Sequence, residues 1–175
     1  MLSVFRHLKT DNLVALSEHT VARLAHVLYI YGAYRLVICH FMTTKQLRII
    51  LQNAIENENE EELINYLDFE NSGKIDSDHY GLIEKALLAT WHEQHEDLVN
   101  TIYLENLIDD RFVEPILQIA VNKNTYRPLD SELESTLRKC VHALKTINSK
   151  KSNEALEKLR SLNNENVQYA LDMYK

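Results

Sequence analysis

The sequence predicts an all-α protein, and three observations carry that expectation. Three glycines and two prolines in 175 residues are too few for the many tight turns of an all-β fold. Hydrophobic residues make up 45% and charged residues 26%, which suits one domain with a real core. From Met42 onward, apolar side chains recur every three or four positions, the period of a helix with one buried face.

The elements follow in order. Thr43 or Thr44 can cap a helix over 44–57, whose apolar face is Leu47, Ile50, Leu51 and Ala54. A second helix is expected over 60–69, with Leu63, Ile64 and Leu67 inward. The run ENSGKIDSD at 70–78 reads as a loop because it combines Gly73 with residues that bond their own backbone. Asp78 is placed to cap a third helix over 79–91, with Leu82, Ile83, Ala86, Leu87 and Ala89 apolar. Further helices are expected over 95–107, 110–122, 131–147, 151–162 and 164–174. Pro128 disfavours helix at Arg127 and marks 122–130 as a loop.

Helix, short loop and helix recur, and a shift of forty positions superposes apolar residues. Leu104 falls on Leu144, Leu107 on Ile147, Ile116 on Leu156 and Ile119 on Leu159, while Ile64 and Leu67 fall on Leu104 and Leu107. HEAT-type hairpins repeat at ~40–47 residues. The expected architecture is therefore a short HEAT-like α-solenoid of helical hairpins, with an irregular helical bundle as the alternative.

Residues 1–41 are set apart by charge. They carry four Lys and Arg against two acids, a net +2, while the chain as a whole carries −7. Three readings compete: an N-terminal extension with a helix over 17–41, upstream sequence before a true start at Met42, and, less favoured than these two, a weak membrane anchor. The apolar stretch at 27–42 is broken by Arg35 and His40, which a membrane span disfavours, and no secretory signal pattern precedes it. An acidic chain has no general attraction to nucleic-acid phosphates. Cys39 and Cys140 are distant and form no CxxC pair, so they read as reduced thiols of a cytoplasmic protein.

The stretch TWHEQHEDLV at 90–99 concentrates the chemistry. As a metal site, His92 and His95 lack further Cys or His partners nearby and do not form HExxH. As an acid/base pair they have neither a nucleophile nor an oxyanion element beside them. The joint between two helices fits better. Trp91 would close the end of one helix, and the two imidazoles would donate to carbonyls left unpaired there. Glu96 and Asp97 would lie in the first turn of the next helix, accepting from its free N–H groups. No catalytic residue, metal or cofactor is expected.

These residues also resemble a family. Trp91, His92, His95, Glu96 and Asp97 form W-H-x-x-H-E-D, which is similar to the signature of the immunity protein 30 family of bacterial polymorphic toxin systems. A second stretch, RKCVHAL at 138–144 with Lys139 and Cys140, resembles that family's K-C-x-x-A-L helix, and Tyr126 to Asp130 matches its connecting loop. The similarity spans about 45–173 and omits 1–41. It implies a HEAT-like helical immunity protein that binds and neutralises a cognate toxin without catalysis. The alternative is a general HEAT-like scaffold with no toxin partner.

An acidic protein suits a basic effector such as a nuclease. Residues available for such contact are Glu60, Glu61 and Glu62, with Glu56 and Glu58 nearby, then Asp109 and Asp110. Tyr66, Tyr80, Tyr103, Tyr126 and Tyr169 are either interface anchors or half-buried core.

Overall fold

Most helix starts in the computed structural model, which describes residues 42–175, can be traced to a local side-chain cap or a preceding 3-10 turn. Residues 1–41 lie outside the described part, and with them the expected 17–41 helix and Cys39. The described residues are helical with no strand.

Thr43 caps α1, Thr44–Glu56: its hydroxyl accepts from the Gln46 N–H and the Gln46 side chain accepts from the Thr43 N–H. Leu47, Leu51 and Ala54 are buried and Ile50 half-buried. Helix α2, Glu60–Tyr66, is shorter than expected and is capped by Asn59. Its inward pair is Leu63 and Tyr66, whereas Ile64 faces out. Asp78 caps nothing: Asp76 instead caps a 3-10 turn, Ser77–His79, that leads directly into α3, Tyr80–Leu88. The extended backbone of Ala89 stops α3 three residues before Trp91.

Helix α4 covers His95–Leu104, and α5 covers Val113–Val121 after a 3-10 turn at Asp110–Phe112. The expected loop at 122–130 contains one helical turn, α6, Lys123–Tyr126. Helix α7, Ser135–Ile147, begins four residues later than the periodicity suggests because Glu134 holds φ +42°, outside any helix. Helices α8, Lys150–Ser161, and α9, Glu165–Asp172, are capped by Ser149 and Asn164.

The scarcity of glycine is met by other residues at the turns. Asn106, Asn148 and Asn163 adopt left-handed backbone, the conformation a helix stop requires and that asparagine tolerates best after glycine. After Asn106, the Leu107 N–H reaches back to the Ile102 carbonyl at 3.0 Å, closing the end of α4.

Packing joins some neighbours in sequence and some helices two or three elements apart, with α7 meeting the most partners. Helix α1 lies on α2 and α3, and α3 on α4 and α5. Helix α7 packs on α4, α5, α8 and α9, and α8 also meets α5. Leu137, Cys140, Val141, Ala143 and Leu144 of α7 are fully buried, each large one contributing roughly 1.5–3 kcal/mol. Three of the six pairs in the forty-residue register are buried on both members; Leu104, 60% exposed, stands against Leu144 at 0%, Ile64 and Leu104 are both exposed, and Leu67 is half-buried against buried Leu107. Among the described residues no helix is long and apolar enough to cross a membrane.

Candidate functional site

Residues 89–97 form the joint between α3 and α4. The end of α3 leaves carbonyls without helical partners, and the two histidines supply donors. His92 Nε2 lies 3.0 Å from the Ala86 carbonyl and His95 Nε2 lies 2.9 Å from that of Ala89, so each ring donates its Nε2–H. His92 Nδ1 accepts from the Gln94 N–H at 3.1 Å, which fixes that ring's neutral tautomer. Burial lowers both imidazole pKa values; for His95, 2% exposed, burial and the neighbouring His92 bring it to about 4.

The rings stack in a row. Trp91 meets His92 edge-on at 4.6 Å, His92 meets His95 at 4.6 Å, and His95 meets Tyr126 of α6 at 5.0 Å. Trp91 itself is half-buried in the connection, not the closing residue of a helix. Its contribution lies in the ring contact as much as in burial.

Carboxylates brace the joint from two sides. Glu60 of α2 accepts from the Glu93 N–H and from the Gln94 side chain, both at 2.9 Å; those bonds, the Gln94 one foremost, hold its carboxyl below the usual range. Glu96 departs from the expected role. It does not accept from the start of α4, whose N-terminus has no side-chain cap. Its carboxylate receives Lys139 Nζ at 2.7 Å and the Ser135 hydroxyl at 2.9 Å, both from α7. Asp97, also read as a cap, is exposed and accepts no hydrogen bond with its side chain. The two stretches that carry the family resemblance are thus joined by Glu96 and Lys139. Cys140, next in line, is fully buried, and burial pushes its thiol up to about 12.

Among the described residues no group of three or more His, Cys, Asp or Glu side chains is arranged to hold a metal. The joint's polar groups are spent on backbone and neighbouring helices, an arrangement that fixes one helix-to-helix geometry.

The acidic candidates divide. Glu60 is tied to the joint, Glu61 is exposed and Glu62 half-buried. Asp109 caps a 3-10 turn and pairs with Arg111 at 3.1 Å; burial opposes its ionisation, but the Arg111 bonds and charge outweigh that. Asp110, Glu56 and Glu58 are exposed. Taken together, residues 42–110 hold four Lys and Arg against sixteen Asp and Glu, a net −12, whereas 111–175 hold eleven against eight, a net +3.

A polar cluster that the sequence reading missed lies at residues 120–138. Buried Arg127 donates to the Ala120 carbonyl at 2.8 Å, to Glu134 at 2.8 Å and to Asp130 at 3.2 Å. Asp130 in turn accepts the Thr136 N–H and hydroxyl, capping α7, and Glu134 accepts from Asn164 at 2.6 Å. Burial alone would raise the Glu134 carboxyl, but bonds from Arg127 and Asn164 hold it at about 2. The available signal was an Arg followed by acids at three and seven positions in a Pro-bearing loop, the donor and acceptors a buried guanidinium needs. Among the tyrosines, Tyr66 is core, Tyr80 and Tyr126 are half-buried, and Tyr103 and Tyr169 are exposed.

Comparison with family models, curated proteins and solved structures yields no match.

Proposed function

We propose that this chain is a non-catalytic immunity protein that binds and neutralises a cognate toxin in the cytoplasm of the cell producing both. The observation that carries the reading is the meeting of W-H-x-x-H-E-D and the Lys139–Cys140 stretch in one braced joint. A motif whose polar groups fix helix geometry supports a binding role better than a chemical one. The serial contacts of α1 with α2, α3 with α4, α7 with α8 and α8 with α9 support the HEAT-like solenoid reading, which offers a rigid surface for a partner. The net −12 of residues 42–110 suits a basic effector, such as a nuclease, and would speed the encounter.

The test is co-expression with the open reading frame adjacent to the gene. A toxic product that this chain captures in pull-down, and whose toxicity it suppresses, is the expected result. A neighbouring gene with no toxicity and no capture would leave the general scaffold as the better reading.

A further inference from the structure

A cleft of about 280 Å³ opens between the end of α2 and the outer side of α4. Three acids line it, Asp68, Asp97 and Glu105, and no lysine or arginine does. Its apolar edge is Phe69, 84% exposed, and Leu104, 60% exposed, an unusual placement for large hydrophobic side chains beside three carboxylates. Glu105 is anchored by the Ser72 hydroxyl at 2.5 Å and the Gly73 N–H at 2.8 Å, which holds its charge in place. Asp97 makes no side-chain bond in the chain and stands available.

A second observation lies beneath. Tyr66 and Asn71, 1% and 2% exposed, line the same cleft, and the Tyr66 hydroxyl and Asn71 Oδ1 have no hydrogen-bond partner. Buried polar atoms are normally paired, because an unmet one costs ~1–3 kcal/mol. Asn71 spends its amide nitrogen on the Asn65 and Tyr66 carbonyls, so its oxygen is the group left over. A donor-rich side chain entering the cleft would meet carboxylates at its rim, among lining residues that include two polar groups, the Tyr66 hydroxyl and Asn71 Oδ1, that the chain itself leaves unpaired.

We infer that this cleft docks a basic protein segment, with an arginine or lysine entering between Asp97 and Glu105 and an apolar neighbour resting on Phe69 and Leu104. The occupant's chemistry follows from charge complementarity: the cleft lies wholly within the part of the chain that carries −12. Arginine suits the site best, since its fork can engage carboxylates while its stem covers apolar surface. The inference rests on the binding role proposed above and names the surface that serves it.

The probe is a short synthetic peptide of alternating arginine and leucine, with alternating aspartate and leucine as its control, titrated into the full chain. The arginine peptide is expected to bind, with amide shifts concentrated at Asn100, Thr101 and Leu104. Asp97→Lys and Phe69→Ser should each weaken it about tenfold, the scale of a lost interface anchor. Glu132→Lys makes the same change of charge on an exposed residue that does not line the cleft and should leave binding near wild type. Both cleft substitutions fall on exposed side chains, and an unchanged melting point verifies the fold. Absence of binding, or equal weakening by Glu132→Lys, overturns the inference. A toxin neutralised equally well by the Asp97→Lys protein removes the cleft while sparing the immunity reading. Peptide binding without any toxin partner does the reverse.

Discussion

His95 is held in a place where a proton is unwelcome: its ring is enclosed by His92 and Tyr126 and its Nε2–H is committed to the Ala89 carbonyl. Its pKa falls from an ordinary 6.5 to about 4. Above pH 6.5 the imidazole is neutral in both folded and unfolded chains and favours neither. Below it, the unfolded chain takes up a proton that the folded one refuses, so stability drains between pH 6.5 and 4 by roughly 3 kcal/mol. Glu134 opens a second, lower window, since its carboxyl falls from 4.5 to about 2 and its stabilisation is lost as pH drops through that range. Urea unfolding of His95→Asn should show a flattened pH slope in the upper window and an unchanged one in the lower. The asparagine amide can still donate to Ala89, which separates the titration from the hydrogen bond. An upper slope as steep as in the wild type would show that another group carries it.

At the scale of elements, the Arg127 cluster has the greater mechanical role. It ties the end of α5, the turn α6, the start of α7 and, through Asn164, the start of α9. Arg127→Ala strands two buried carboxylates and the α5 carbonyls, and should cost ~3–5 kcal/mol. Lys139→Ala removes a partly exposed ion pair with Glu96 and should cost only ~0.2–1 kcal/mol. Denaturant midpoints of the two variants provide the check, and a larger loss for Lys139→Ala would reverse the assignment. The difference also marks what could be read from the sequence. Helix periodicity reports a buried face, so α1, α5, α7 and α8 were legible in kind. The end of α3 and the start of α7 were less so, because Ala89 and Glu134 adopt backbone conformations that their residue types do not announce. The histidines' bonds to the preceding carbonyls were legible, since a helix end needs donors and the imidazoles stand in reach. Glu96 and Asp97 were not: their position suggested caps, but a lysine forty-three residues away took the first and nothing took the second. Long-range pairing of that sort leaves no periodic trace in the chain.

Across the whole described unit, the uneven charge sets repulsion within residues 42–110 against the contacts that hold the fold. Residues 42–110 repel one another with a net −12, while the strongest polar contacts, around Arg127, are buried and little affected by salt. Raising ionic strength from ~0.01 M to ~0.15 M shortens the screening length from about 30 Å to about 8 Å, weakening that repulsion while leaving the buried cluster intact. Thermal melts should therefore shift upward with salt, a gain of about 1 kcal/mol corresponding to roughly 2–4 °C for a chain of this size. Exposed pairs such as Arg160 with Glu157 and Lys175 with Asp172 pull the other way, because screening weakens attraction as well. Those pairs lie in the near-balanced second half, so repulsion in the first half should dominate. A melting point that falls with added salt would show that the exposed pairs win. The same salt should weaken binding of a basic partner, so stability and affinity should move in opposite directions along one titration.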